Sequence, residues 1–169
     1  MPKLVAVVGG KHSGKTTVIE HLIVEFKRRR YRVGAIKEMV RISTLDTPAT
    51  ETDRYSIAGA ETIVAVPREE TVVFIKRRLT LAEILPFLIG LDYVVLEGFK
   101  SEKNLLKIIA AKTAIEAKSY YDDSTIAISG IIAGSDIETN KATAIKIPIF
   151  SLVEIKALAD LIENRAIEM

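Results

Sequence analysis

Gly9-Gly10-Lys11-His12-Ser13-Gly14-Lys15-Thr16-Thr17, near the start of the chain, is the stretch whose residue types and spacing most directly imply chemistry. Gly9, four residues, then Gly14-Lys15-Thr16 is the spacing at which a backbone can fold round a phosphate with its N–H groups turned inward. In that reading the glycines let the backbone approach the anion, Lys15 neutralises the β- and γ-phosphates, and the Thr16 hydroxyl binds magnesium. Gly9, Gly10, Lys11, His12, Ser13, Gly14 and Thr17 complete the candidate cradle. Lys11 follows the paired glycines, unlike the loops in which an extra lysine precedes them and reaches a partner's nucleotide. His12 reads either as a solvent-facing loop residue or as a base.

The second chemical feature is Glu97, which ends the apolar run Tyr93-Val94-Val95-Leu96. The carboxyl ends of buried strands are where α/β sheets present ligands. An acid there could hold magnesium or orient an attacking water, and the alternative is a solvated strand end. Gly98 would let the chain turn close to a nucleotide, and Lys100 offers a further phosphate or substrate contact. Glu51, Thr52 and Asp53 bring hydroxyl and carboxylate oxygens, the ligands a hard cation prefers. Their alternative is a helix start capped by Thr50 or Thr52.

Composition removes several classes of chemistry. The chain has no cysteine and two histidines, so thiolate nucleophiles, disulfides and cysteine-held metals are excluded, and a protein-built transition-metal site is not expected. Lysine and arginine number 24 against 22 acidic residues, which leaves no general attraction for nucleic acid or anionic membranes. No signal-like segment or membrane-length apolar run is visible, so the expectation is a cytoplasmic protein. Glutamine is absent and asparagine is confined to Asn104, Asn140 and Asn164, a pattern that suits a thermophile.

The elements that must position these residues follow from periodicity. Leu4 to Val8 reads as a strand buried on both faces, and Val18, Ile19, Leu22, Ile23 and Phe26 give the next segment a helical face. Lys27-Arg28-Arg29-Arg30 ends that helix, where cations are favourable and solvated. Arg32 to Lys37 is a second strand and Ser43 to Thr52 a loop. Thr62 to Val66 and Thr71 to Ile75 form a hairpin, and Leu81 to Leu91 is a helix kinked at Pro86. Tyr93 to Leu96, Lys107 to Ala111, Ile126 to Ile132 and Ile147 to Phe150 are further strands, and Val153 to Asn164 is a closing helix. Strands alternating with helices predict one α/β domain over residues 1–169, a three-layer phosphate-loop (P-loop) nucleoside-triphosphatase fold. Its mainly parallel sheet is flanked by helices, with the hairpin added.

The loop GGKHSGKTT, the segment Gly34-Ala35-Ile36-Lys37, the run ETDRYSIAGAETIVAV and above all Asp92-Tyr-Val-Val-Leu-Glu-Gly-Phe-Lys100 resemble the molybdopterin-guanine dinucleotide biosynthesis protein B family. The resemblance extends to about Leu161. It implies a homodimer that binds GTP with magnesium and hydrolyses it weakly. It also implies a partner enzyme that attaches GMP to molybdopterin, with molybdopterin itself a further candidate ligand. Gly14, Lys15, Thr16 and Thr17 are thereby assigned to phosphate and magnesium, Glu97 to the metal-side acid, and Lys37 and Lys100 to the basic lining. The chain departs from the family where Glu51-Thr52 stands for an Asp-Ser or Asp-Thr pair. It departs again where Glu38, Met39, Val40 and Arg41 replace histidines.

No base-reading motif decides between guanine and adenine. Asn140-Lys141-Ala142-Thr143 lacks the aspartate that would accept from the guanine edge, and Ser135-Asp136 is its nearest substitute. A small-molecule kinase, with Lys76-Arg77-Arg78 as its lid, and a non-catalytic nucleotide-dependent adaptor are the competing readings.

Overall fold

The apolar run at the start of the chain becomes the central strand. In the computed structural model β1 (Lys3–Val8) is hydrogen-bonded on one side to β5 (Tyr93–Glu97) and on the other to β6 (Leu106–Ala110), both parallel. β2 (Val33–Lys37) lies outside β5, and β7 (Thr125–Ser129) outside β6, giving one parallel sheet in the order β2-β5-β1-β6-β7. Val5 to Val8 and Tyr93 to Leu96 are all buried, as strands covered on both faces require. The structure describes residues 1–39, 51–103 and 105–166, with Glu51, Thr52 and Asp53 as backbone only.

The chain divides into two compact units, Met1–Glu38 with Leu88–Met169, and Met39–Phe87. The first holds the parallel sheet and its helices α1 (Lys15–Arg28), α4 (Ala114–Tyr120), α5 (Asp136–Ala142) and α6 (Ile155–Arg165). Val18, Leu22 and Phe26 of α1 and Leu158, Ala159 and Ile162 of α6 are fully buried in one cluster with β1, β5 and β6. Each large side chain buried this way contributes about 1.5–3 kcal/mol. The second unit holds α2 (Glu51–Ile57), the antiparallel hairpin of β3 (Thr62–Ala65) and β4 (Val72–Ile75), and α3 (Leu81–Ile84).

Four expectations are corrected. β7 stops at Ser129 because Gly130 turns away with φ 88°, so Ile131 and Ile132 fall in a 3-10 turn. Ile147 to Phe150 supplies a single bridge, Ile149 to Ile128, because Pro148 has no N–H to give a ladder. Leu81 to Leu91 breaks after Ile84, and Leu85–Leu88 winds as a 3-10 helix round Pro86. α4 and α5 have no counterpart among the expected helices. Each has only seven residues, too few for a periodic face, and their legible signal is Thr113 or Ser135 capping a glutamate three residues on. The expected Ser43–Thr52 loop lies mostly outside the described residues, which resume in the first turn of α2.

The basic end of α1 is structural. Arg29, only 14% exposed, pairs with Glu25 at 2.8 Å, Asp160 at 2.7 Å and Glu163 at 2.9 Å, so it ties α1 to α6. Arg28 adds a second bond to Glu25 at 2.7 Å. Chiefly through the Arg28 hydrogen bond, with Arg29 adding to it, the Glu25 carboxyl is held down to about 2. A carboxyl depressed in the folded state stabilises the fold above its ordinary value of 4.5, and that contribution is lost as pH falls from there towards 2. Thermal melting between pH 7 and pH 3 is expected to show a drop of several degrees that shrinks in Glu25→Gln. Parallel pH curves for parent and variant would remove Glu25 as the cause.

Candidate functional site

α1 begins without the side-chain caps that open α3, α4 and α5. Gly14 precedes it with φ 94° in the left-handed region, no side chain bonds its first N–H groups, and its first turn holds no acid. By contrast Thr80, Thr113 and Ser135 cap α3, α4 and α5 with glutamates in their first turns. An uncapped N-terminus leaves donors and a positive dipole end that suit an anion. Only glycine meets the geometry before it without strain. Gly9 has φ 152°, and a side chain there would collide with the Ala110 carbonyl. The loop is therefore a cradle built with no Cβ where backbone must pass closely.

Within the cradle the side chains are already ordered. Ser13 is buried and donates to the Gly10 carbonyl at 2.9 Å, and Lys15 Nζ donates to the same carbonyl at 2.6 Å. The lysine thus lies across the loop it would close over a phosphate. Lys11 and His12 are exposed, and His12 takes φ 59°. Thr17 is exposed one position beyond Thr16, and its carbonyl is 2.8 Å from His21 Nδ1.

The strand register delivers the acid. Glu97 pairs with Val7 of β1 and with Lys37 of β2, which sets its carboxylate beside the cradle. Thr16 Oγ1 donates to Glu97 Oε2 at 3.3 Å, and Lys37 Nζ lies 3.3 Å from that oxygen. Thr16, Lys37 and Glu97 are thus brought together. Gly98 N donates to the Val7 carbonyl with φ 96°, so the turn after Glu97 closes against β1. Lys100 points elsewhere: its ammonium sits 4.3 Å from the centroid of the Tyr120 ring. The side chains of Glu51, Thr52 and Asp53 lie outside the described residues. Of the basic cluster at 76–78, Arg77 is held by Glu83 at 2.9 Å within the second unit.

Three contributors to the site's construction stand outside the phosphate-loop and strand-end patterns. Glu38 donates its N–H to the Glu97 carbonyl at 2.9 Å, and its carboxylate accepts from Phe99 N at 2.8 Å, so it shapes the turn after the acid. Lys112 Nζ donates to the Lys11 carbonyl at 3.1 Å. Glu116 accepts from Lys112 N and stands where a side chain at Gly10 would be. Only the Thr113-x-x-Glu116 cap was legible locally.

The donor set fits magnesium. A hydroxyl and a carboxylate oxygen are hard ligands, and magnesium bound with a nucleotide takes one or two protein ligands while phosphates and waters supply the rest. Among the described residues no group of three or more His, Asp or Glu side chains could cage a metal alone. No helix among them is long and apolar enough to cross a membrane.

Comparison with known proteins bears on the same residues. The model of the family MobB, molybdopterin guanine dinucleotide synthesis protein B, matches residues 4–133, which contain the loop, β5 and Glu97. A molybdopterin-guanine dinucleotide biosynthesis adapter protein of Methanocaldococcus jannaschii is 34% identical over 131 residues, covering 75% of this chain. That match spans only 54% of the relative's own length. The adapter protein of that name from Haemophilus influenzae is 24% identical over 95% of this chain and 88% of its own. In fold, the crystal structure of Bacillus subtilis MobB superposes with a TM-score of 0.76 over 99% of both chains at 22% identity. The chain belongs to the molybdopterin guanine dinucleotide synthesis protein B (MobB) family.

Proposed function

We propose that this chain is a GTP-binding, weakly GTP-hydrolysing adapter in molybdenum or tungsten cofactor assembly, acting as a homodimer in the cytoplasm. Its partner is an enzyme that attaches GMP to molybdopterin. The observation that carries the nucleotide reading is the meeting of Thr16 and Glu97 on one carboxylate oxygen at the uncapped N-terminus of α1. Anion donors, a lysine and a hard-ligand pair in one place are what a magnesium–triphosphate needs. The choice of guanine and of the partner rests on family membership and on the names of the adapter relatives.

The chain's own residues divide the work. The N–H groups of Gly9 to Thr17 and the Lys15 ammonium bind and orient the phosphates, and Glu97 orients the attacking water or the metal's ligands. Magnesium held by Thr16 and Glu97 would supply charge neutralisation at the phosphate oxygens.

Competition binding is the direct test. GTP is expected to displace a labelled guanine nucleotide at least tenfold better than ATP, a difference of about 1.4 kcal/mol. Phosphate release should be slow alone, unmoved by metabolites and altered by a GMP-transferring partner. Equal displacement by ATP together with metabolite-dependent turnover would replace this reading with a kinase. Sedimentation at high micromolar concentration should show a dimer, and a monomer there would remove that part.

A further inference from the structure

Glu97 Oε2 is claimed twice. Thr16 Oγ1 and Lys37 Nζ each lie 3.3 Å from it. Lys37 and Glu97 are register partners on adjacent parallel strands, so their side chains leave the sheet on the same face. The carboxylate is 15% exposed and the lysine side chain 53%. A tight ammonium–carboxylate contact is about 2.7–2.9 Å, so this one is loose. The ammonium therefore offsets a mostly covered charge while remaining open to exchange.

A magnesium ion bound at that oxygen sits about 2.0–2.1 Å from it. A dication and an ammonium cannot both crowd one carboxylate oxygen without strong repulsion. Exchange needs no backbone movement, because Glu38 clasps the strand ends independently, through its N–H to the Glu97 carbonyl and its carboxylate to Phe99 N. Lys37 has a flexible four-carbon stem and a side chain about half exposed, so it can leave by a side-chain rotation.

We propose that Lys37 is a displaceable counter-ion, occupying the cation position beside Glu97 until magnesium arrives with the nucleotide, and so setting the metal concentration at which the site loads. This rests on the nucleotide reading above. It gives the lysine a role distinct from a phosphate contact, because the two roles predict opposite effects of its removal on metal affinity.

The test uses Mn²⁺ as the probe, with GDP, followed by electron paramagnetic resonance of free Mn²⁺. GDP has no γ-phosphate, which removes one route by which the lysine could aid binding. Lys37→Met and Lys37→Gln are both expected to tighten Mn²⁺ in the GDP complex by about five- to tenfold at low salt, while Lys37→Arg stays near the parent. The gain should shrink as salt screens the pair. A misfolded variant loses binding, so tightening cannot come from damage to the fold. Unchanged or weaker Mn²⁺ binding in both neutral variants, with the parent binding GDP normally, overturns this proposal alone. Failure of the parent to bind GDP overturns it together with the nucleotide reading.

Discussion

Lys15→Ala is expected to lose triphosphate affinity by on the order of a hundredfold, the fold equivalent of removing a charged hydrogen bond worth about 1.5–3 kcal/mol. The structure sharpens the expectation in two ways. Lys15 Nζ bonds to the Gly10 carbonyl at 2.6 Å, so the lysine spans the loop and sits where the anion would arrive. The variant loses that bridge as well, but the loop stays anchored, because Ser13 still donates to Gly10 and Ile131 N to Ser13 O. Its melting temperature should therefore stay within a few degrees of the parent while binding collapses. Calorimetry with saturating magnesium checks this. Unchanged affinity in a folded variant would remove the phosphate assignment of the whole loop.

Glu97→Gln separates holding a nucleotide from reacting with it. In the proposed site backbone N–H groups and Lys15 would make most of the ground-state contact, so triphosphate affinity should change by less than about tenfold. Turnover should fall by on the order of a hundredfold, because a group that acts as charge develops commonly contributes about 2.7–4 kcal/mol in the transition state. Glutamine keeps the shape and an acceptor for Thr16, whose hydroxyl is 3.3 Å from the carboxylate, and removes only the charge. That makes it a cleaner test than alanine. Equal GTP hydrolysis by variant and parent under saturating magnesium would make Glu97 a strand-end charge and send the search for the water-orienting acid to Glu51 and Asp53.

The chemistry was most legible where it is local. Gly9 to Gly14 join β1 to α1 and Lys15 to Thr17 open the helix, so the pattern needs nothing from elsewhere to be read. Glu97 was legible for a related reason: a charge at the end of Tyr93-Val94-Val95-Leu96 breaks a run that packing alone would continue. The helices at Ala114–Tyr120 and Asp136–Ala142 were not, because seven residues without an apolar period carry only a capping signal. Resemblance placed Lys37 and Lys100 in one basic lining, and the structure separates them: Lys37 stands beside Glu97, whereas Lys100 lies over Tyr120.

By itself the sequence determined the parallel α/β class, through strands alternating with helices along the chain, and it placed the glycine loop, its lysine and the strand-end acid by spacing within short stretches, while the family was carried by resemblance over several whole segments. Tertiary structure alone decided which strand lies beside which. The order β2-β5-β1-β6-β7 sets Lys37 and Glu97, sixty residues apart, in register, and brings Lys112 onto the loop at Lys11. Alternation along a strand says which faces are buried but not which neighbour will cover them. The convergence of Thr16, Lys37 and Glu97 on one oxygen comes from that long-range pairing, which carries no local signature.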